Sequence, residues 1–297
     1  MKKITIIGGA SIDSIIYLED FPQPEPQTIH QCEFKETIGS TGSGKALNLC
    51  RLNFDVRLHA VIGNDLYGRW IKDFLTHPNL SFEYDYNAFG TERHTNLMTK
   101  DGKRISIFTN NIDDEPQINY EKFGPWIAES DVVIVNLSNY SRNTLAICKE
   151  LGKKVWVDLH DYDGINTFHQ DYINYADYVF LSSDNLPNYK AWMQKWINEE
   201  KEWVVCTHGA AGATALDGAG KWYEQPALTH YELIDSNGAG DAFSAGFIYA
   251  FMQEKGMADC LKYATIAGAL CIHSPEVFGT ALSPATLEKT FTENYGT

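Results

Sequence analysis

Asp235-Ser236-Asn237-Gly238-Ala239-Gly240-Asp241-Ala242-Phe243-Ser244-Ala245-Gly246 is the stretch on which the reading of this chain turns. Gly238, Ala239 and Gly240 make a tight turn that runs straight into an apolar segment, residues 241 to about 252, predicted to be a helix. Small side chains leave the backbone N–H groups of such a turn open to an incoming anion, and the helix start adds about half a positive charge. A phosphate whose charge shifts during transfer suits such a place. Asp241 falls in the first turn, where its carboxylate would be held as an anion, ready to accept a proton from a hydroxyl. Taken alone, the same residues also describe an ordinary helix cap and turn.

Away from this turn, short apolar runs alternate with longer stretches of helical character. Residues 4–7, 132–135, 155–157, 178–181 and 203–206 have the length and composition of strands buried on both faces. Residues 143–151 and 186–198 are candidate helices between them. The alternation predicts a parallel sheet with helices on both faces. Two stretches break it. One runs from about Ser14 to Ile38, with Ile15-Ile16-Tyr17, then Pro22, Pro24 and Pro26, then an extended segment, 30–37. The other runs from about Phe82 to Asn110, with aromatic residues at 82, 84 and 86, a segment 94–99, a turn at Asp101-Gly102, and a segment 104–109. Both are β-rich with hairpin character and are expected to meet as one small sheet, a lid. The expected division is a core of residues 1–13, 39–81 and 111–297, with a lid of 14–38 and 82–110.

Composition narrows the function. The 297 residues suffice for a large α/β domain with an appendage, and the formal net charge is −15 with no basic run. Binding nucleic acid or an anionic membrane needs a basic face, so neither is an expected partner. No export signal or spanning segment is evident, and the expected location is cytoplasmic. The six cysteines are scattered without a C-x-x-C pair, as reduced core thiols would be. The nine histidines lack zinc spacing.

The whole 235–246 segment resembles the D-T-x-G-A-G-D signature of the ribokinase-like (PfkB-type) carbohydrate kinases, with Ser236 keeping the hydroxyl of the usual Thr. The resemblance extends along nearly the whole chain. Gly8-Gly9-Ala10-Ser11-Ile12-Asp13 looks like the family's opening. Gly63, Asp65 and Gly68 match its G-x-D-x-x-G. Thr207, Gly209 and Gly212 match its T-x-G-x-x-G. The resemblance implies a three-layer α/β/α sandwich with a mostly parallel central sheet and a small β-sheet lid. It implies an ATP-dependent sugar kinase, ribokinase- or fructokinase-like, with Asp241 as general base and Gly238, Ala239 and Gly240 as the anion hole. Asp13, Gly39, Ser40, Gly42 and Gly44 would face the sugar, and Thr207, Gly209, Gly212 and Ser182 the nucleotide. Asp184 would serve Mg²⁺, and Asp235 and Ser236 a monovalent cation such as K⁺.

The glycine-rich loop Gly39-Ser40-Thr41-Gly42-Ser43-Gly44-Lys45-Ala46 also nearly satisfies the P-loop pattern, but Ala46 lacks the hydroxyl that would hold Mg²⁺. Against the kinase family's G-G-x-G-x-N, Ser40 replaces a Gly and Gly44 replaces the sugar-binding Asn. Lys45 is either a solvated helix-start lysine or a substrate contact. At Leu181-Ser182-Ser183-Asp184-Asn185 the family's N-x-x-E is also altered. Asp158, ending a strand run, is a cap or a contributor to the phosphate end. These departures keep two alternatives open: a nucleoside kinase, with Phe82, Tyr84 and Phe89 available to stack on a base, and a non-catalytic sugar- or nucleotide-binding regulator. A lid with an unpaired edge allows a homodimer through it.

Overall fold

Ile4 and Ile6 enter one hydrophobic core while Ile7, on the same strand, enters another. Val132 and Ile134 likewise part from Val133 and Val135. Successive side chains of a strand point to opposite faces, so unbroken apolar runs mark a sheet covered on both sides. The structure, a computed structural model, describes residues 1–100, 102–110 and 116–296. Asp101 of the expected Asp101-Gly102 turn, residues 111–115 and Thr297 lie outside the described residues.

In chain order the first half comprises β1 (Lys3–Ile7), β2 (Ser11–Leu18), β3 (Glu33–Gly39), α1 (Thr41–Arg51), β4 (Asp55–Gly63), α2 (Leu66–Phe74), β5 (Leu80–Asn87), β6 (Arg93–Thr99), β7 (Arg104–Asn110), α3 (Phe123–Glu129), β8 (Val132–Val135) and α4 (Asn139–Glu150). There follow β9 (Val155–Asp158), α5 (Gln170–Tyr175), β10 (Tyr178–Ser182), α6 (Tyr189–Asn198), β11 (Trp203–Thr207), β12 (Ala213–Asp217), β13 (Trp222–Gln225), α7 (Ala239–Phe251), α8 (Met257–Ile272) and α9 (Pro284–Tyr295). The large sheet has the order β13-β12-β11-β10-β9-β8-β1-β4-β5. It is parallel except at β12 and β13. Buried residues of α1, α2, α7, α8 and α9 fill one core and those of α3, α4, α5 and α6 the other. This is the ribokinase-like sandwich.

Sheet order reverses beside β1, which lies between β8 and β4. Ligands of open α/β sheets gather beyond the carboxyl ends of strands at such a point. The register of β9, β10 and β11 sets Asp158 beside Phe180 and Ser182 beside Thr207, along that same edge.

The lid is a four-stranded sheet, β3-β2-β6-β7, built from the two separated stretches. One expected member belongs elsewhere. Phe82–Tyr86 lies in β5, which pairs in parallel with β4 at the edge of the large sheet, Leu58 opposite Phe82 and Ala60 opposite Tyr84. An edge strand covered on one face alternates apolar and polar residues just as a lid strand does, so periodicity could not assign it. Toward the core the lid turns Tyr17, Lys35 and Arg104, which reach Asp235, Pro275 and Asn237. On the opposite face Phe34, Ile16, Leu97 and Ile105 form one row across four strands.

Among the described residues no helix is long and apolar enough to cross a membrane.

The G-x-D-x-x-G motif ties lid to core. Asp65 caps α2 by accepting from the Gly68 amide at 2.8 Å, and it also accepts from the amide (2.8 Å) and hydroxyl (2.6 Å) of Thr91, two residues before β6. Asp65→Ala removes the cap and leaves the Thr91 amide without this partner. It should lower stability by about 1–2 kcal/mol, as losing a strong N-cap does; urea unfolding of the two proteins measures it.

Candidate active site

Asp241 sits in the first turn of α7, behind the 238–240 turn. Gly238 adopts φ 77°, and a Cβ there would lie 2.0 Å from the Val277 carbonyl oxygen, so the turn tolerates only glycine. Gly240 is exposed, with nothing within 4 Å of the position a Cβ would take. Its side of the turn is open to a ligand, and the first amides of a helix have no partner within the helix.

Asp241 itself is buried. Its Oδ1 lies 2.7 Å from the Nζ of Lys45, and the same Nζ lies 2.9 Å from Oδ2 of Asp158. Lys45 is 1% exposed. Neither expectation for this lysine holds: it is not solvated, and its ammonium is spent on two carboxylates in the interior. The P-loop alternative falls with it, since a P-loop lysine must reach a nucleotide phosphate. Burial pushes the Lys45 amine down, but Asp158 and Asp241 more than offset this and hold it above the usual lysine range. Burial pushes Asp158 up, yet Lys45 and His160 hold it well below the usual carboxylate range. For Asp241 burial prevails over Lys45, and its carboxyl is raised. The sequence implies that the helix start stabilises Asp241 as an anion; burial acts the other way and makes it a stronger base.

The start of α1 is glycine-rich because two carboxylates crowd it. A Cβ at Gly44 would meet Oδ2 of Asp241 at 2.3 Å, and one at Gly39 would meet Oδ1 of Asp13 at 1.9 Å. Gly44, where the family pattern has a sugar-binding Asn, thus makes room for Asp241. Ser40 has φ 70° and ψ 148°, a region almost confined to glycine, at a cost of about 1–3 kcal/mol. Gly42 packs against the carbonyl oxygens of Gly8 and Gly9.

Asp13, on β2, has its carboxylate fixed by three donors: the Ser11 hydroxyl at 3.0 Å, the Asn96 amide at 2.9 Å and His94 Nδ1 at 3.2 Å. The other ring nitrogen of His94 is 2.8 Å from Glu92, and Phe108 packs on the ring at 4.0 Å between centroids. Asn96 and His94 were missed by sequence reasoning. Their only signal is strand alternation, which puts residues 94 and 96 on the face of Asp13 once the pairing with β2 is known.

Ser182 and Thr207 are neighbours at the carboxyl ends of β10 and β11. The 207–212 loop is closed by the His208 amide donating to the Gly212 carbonyl at 2.8 Å. Gly209, at its tip, has open space around it. Asp184 is exposed on the same rim, and Asn185 donates to Asp161 at 3.1 Å. An exposed carboxylate such as Asp184 is chemically suited to a hydrated Mg²⁺. Asp235 and Ser236, expected to serve a monovalent cation, already have hydrogen-bond partners. Both oxygens of Asp235 are engaged, one by the Tyr17 hydroxyl at 2.8 Å and the other by the amide and side chain of Asn237. The Ser236 hydroxyl faces the Gly102 carbonyl at 3.5 Å. Among the described residues no group of three or more His, Cys, Asp or Glu gathers to hold a metal.

Comparison with known proteins gives a consistent answer. The family model for pfkB family carbohydrate kinases matches residues 1–281. Acarbose 7(IV)-phosphotransferase from Actinoplanes sp. is 30% identical over 288 residues, covering 96% of each chain. A solved microbiome-derived acarbose kinase superposes with a TM-score of 0.86 at 25% identity, covering 97% of this chain and 98% of the other. Ribokinase from Arabidopsis thaliana, solved with ribose and ATP, has a TM-score of 0.77 at 17% identity over 97% and 98% of the two chains, a likeness of fold alone.

The His94 contacts have a pH signature. Burial lowers its pKa, but Asp13 and Glu92 raise it to about 9, above the ordinary 6.5. A folded-state value above the unfolded one means stability that is full below pH 6.5 and is lost as pH rises through about 9. In urea unfolding, the stability gap between the native protein and His94→Gln should be widest near pH 6 and narrow toward pH 10. A gap that stays constant across that range would refute the ion-pair assignment.

Proposed function

The chain belongs to the pfkB family of carbohydrate kinases, and on that premise we propose that it moves the γ-phosphate of ATP onto a hydroxyl of an oligosaccharide-sized sugar, with Asp241 as the base. The observation that carries the chemistry is the state of Asp241. It is buried at a helix start with one oxygen held by Lys45 and the other lying over Gly44. Asp13 and Asp241 both pack on the glycine-rich 39–44 segment, so one short stretch of chain serves the acceptor and the base.

In this reading the acceptor hydroxyls bind Asp13, whose carboxylate is already oriented, and the 39–44 segment. The nucleotide lies along Ser182, Thr207, Gly209 and Gly212 with its terminal phosphate at the 238–240 turn. Asp241 takes the hydroxyl proton as the oxygen attacks phosphorus. The Gly238 and Gly240 amides stabilise charge on the transferring group, while that of Ala239 already donates to the Ser236 carbonyl at 3.3 Å. Mg²⁺, when bound with ATP, neutralises phosphate charge, and Asp184 would hold it through water. The lid keeps competing water away.

Two observations favour an acceptor larger than ribose or fructose. The first is the 30% identity to an acarbose phosphotransferase over nearly the whole of both chains. The second is Phe108, 60% exposed on the ring of His94 beside Asp13, a ledge on which a further sugar ring can stack. A nucleoside acceptor loses the support of Phe82 and Tyr84, which lie in β5 and pack on one another at 5.7 Å.

ATP consumption with acarbose, maltotriose, ribose, fructose and a nucleoside is the direct test. The oligosaccharide-sized compounds should turn over fastest; binding of all of them without turnover would identify a regulator instead. Asp241→Asn should lower kcat by roughly 10²–10⁴, the worth of a general base, with ATP affinity largely intact. Near-native turnover in that variant would refute the base assignment.

We also propose that the outer face of the lid pairs two copies. Phe34 (60% exposed) and Ile105 (44%) end an apolar row that a second lid would cover. Light scattering should find a dimer, and Phe34→Glu should convert it to a monomer; a native protein that is monomeric at tens of micromolar rules the interface out.

A further inference from the structure

Lys45 is the unexplained residue of the site. Burying an ammonium is costly unless it is well paired, and truncating one partner of such a pair strands a charge. Here the pairing is unusual, because two carboxylates share one cation. Within the trio the formal charge is −1 when both carboxylates are ionised. The three residues come from three different elements: α1, the end of β9, and the first turn of α7.

The two oxygens of Asp241 differ. Oδ1 meets Lys45, whereas Oδ2 accepts no hydrogen bond among the described residues and lies where any side chain at position 44 would collide with it. The lysine thus chooses which oxygen is free. The other charged or titratable groups facing the trio are few. His160, following β9, has Nδ1 at 3.7 Å from Asp158. Cys271 on α8 is pushed up to about 12 by burial, with Asp241 and Asp235 adding to it, so it stays neutral.

We propose that Lys45 is the positioning residue of the base. Its ammonium fixes Oδ1 of Asp241 so that Oδ2 is presented to the acceptor hydroxyl, while Asp158 shares that ammonium and so preserves the basicity of Asp241. The inference rests on the kinase reading above. In the step, the acceptor O–H bond breaks and its proton goes to Oδ2. The oxygen bonds to the γ-phosphorus, and the bridging P–O bond breaks with its electron pair leaving on ADP. Asp241 becomes neutral, and Lys45 with Asp158 remains a neutral pair, so the transfer strands no charge in the interior. A lysine facing Asp241 alone would hold it as a weak base; Asp158 prevents that.

The test is a titration of protein labelled with ¹³C at the aspartate carboxyl carbon, with the Asp241 signal assigned by its loss in Asp241→Asn. This readout needs no acceptor. Lys45→Met leaves Asp241 beside a like charge, and its midpoint should rise by about one pH unit or more. Asp158→Asn gives Asp241 the whole ammonium, and its midpoint should fall by a similar amount. If the three charges were not coupled in solution, the two midpoints would not move in opposite directions. Should Lys45→Met fail to fold, Asp158→Asn decides alone: an unchanged or raised midpoint overturns the proposal. Failure of the parent reading looks different, since it requires Asp241→Asn to retain turnover. Loss of turnover in Asp241→Asn without the opposed shifts defeats this inference only.

Discussion

One ammonium shared by two carboxylates holds the working parts of this molecule in register. Lys45 brings the first helix, Asp158 the carboxyl end of a central strand, and Asp241 the start of the helix that follows the 238–240 turn. No water-exposed pair has such leverage, because exposed charges are screened and interact weakly. An interior trio is unforgiving in geometry, and that constraint radiates outward. It requires a glycine at position 44, so that the carboxylate fits against the helix backbone.

The second constraint is the way the lid is held. Its strands come from two parts of the chain, yet they converge on a few residues of the core. Tyr17, Arg104 and the Gly102 carbonyl all reach residues 235–237. On the other side Asp65 grips Thr91. The lid is thus pinned where the 238–240 turn begins and where β6 begins, and Asp13, His94 and Asn96 lie between these anchors. In the proposed function, acceptor recognition falls to the lid's inner face and phosphate handling to the helix starts.

What the sequence disclosed follows from how local each feature is. The 235–241 turn, the 207–212 loop and the opening around Asp13 are short runs in which glycines and a polar residue sit at fixed spacing, so chemistry and position are written together. The lid as a small sheet was legible from proline-rich and alternating stretches. Lys45 was not legible, because its partners lie 113 and 196 residues away. A lysine after a glycine-rich loop suggests phosphate until the fold reveals what faces it. Strand β5 was misassigned for a related reason, since alternation records that one face is covered but not by what. The acceptor is the least legible part: Gly44 departs from the pattern to accommodate Asp241, and two of the three residues that orient Asp13, His94 and Asn96, are contributed by a different strand.

The Tyr17–Asp235 hydrogen bond has a thermodynamic consequence. Asp235 also accepts from the amide and side chain of Asn237, the residue that leads into the 238–240 turn, so the lid's contact with the core and the conformation of that turn are written in the same atoms. Linkage is reciprocal: if an anion at the turn favours the lid-closed arrangement, closure must favour that anion by the same free energy. Two ligands coupled in this way need not touch to sense one another, because each would act on the other through one tyrosine hydroxyl.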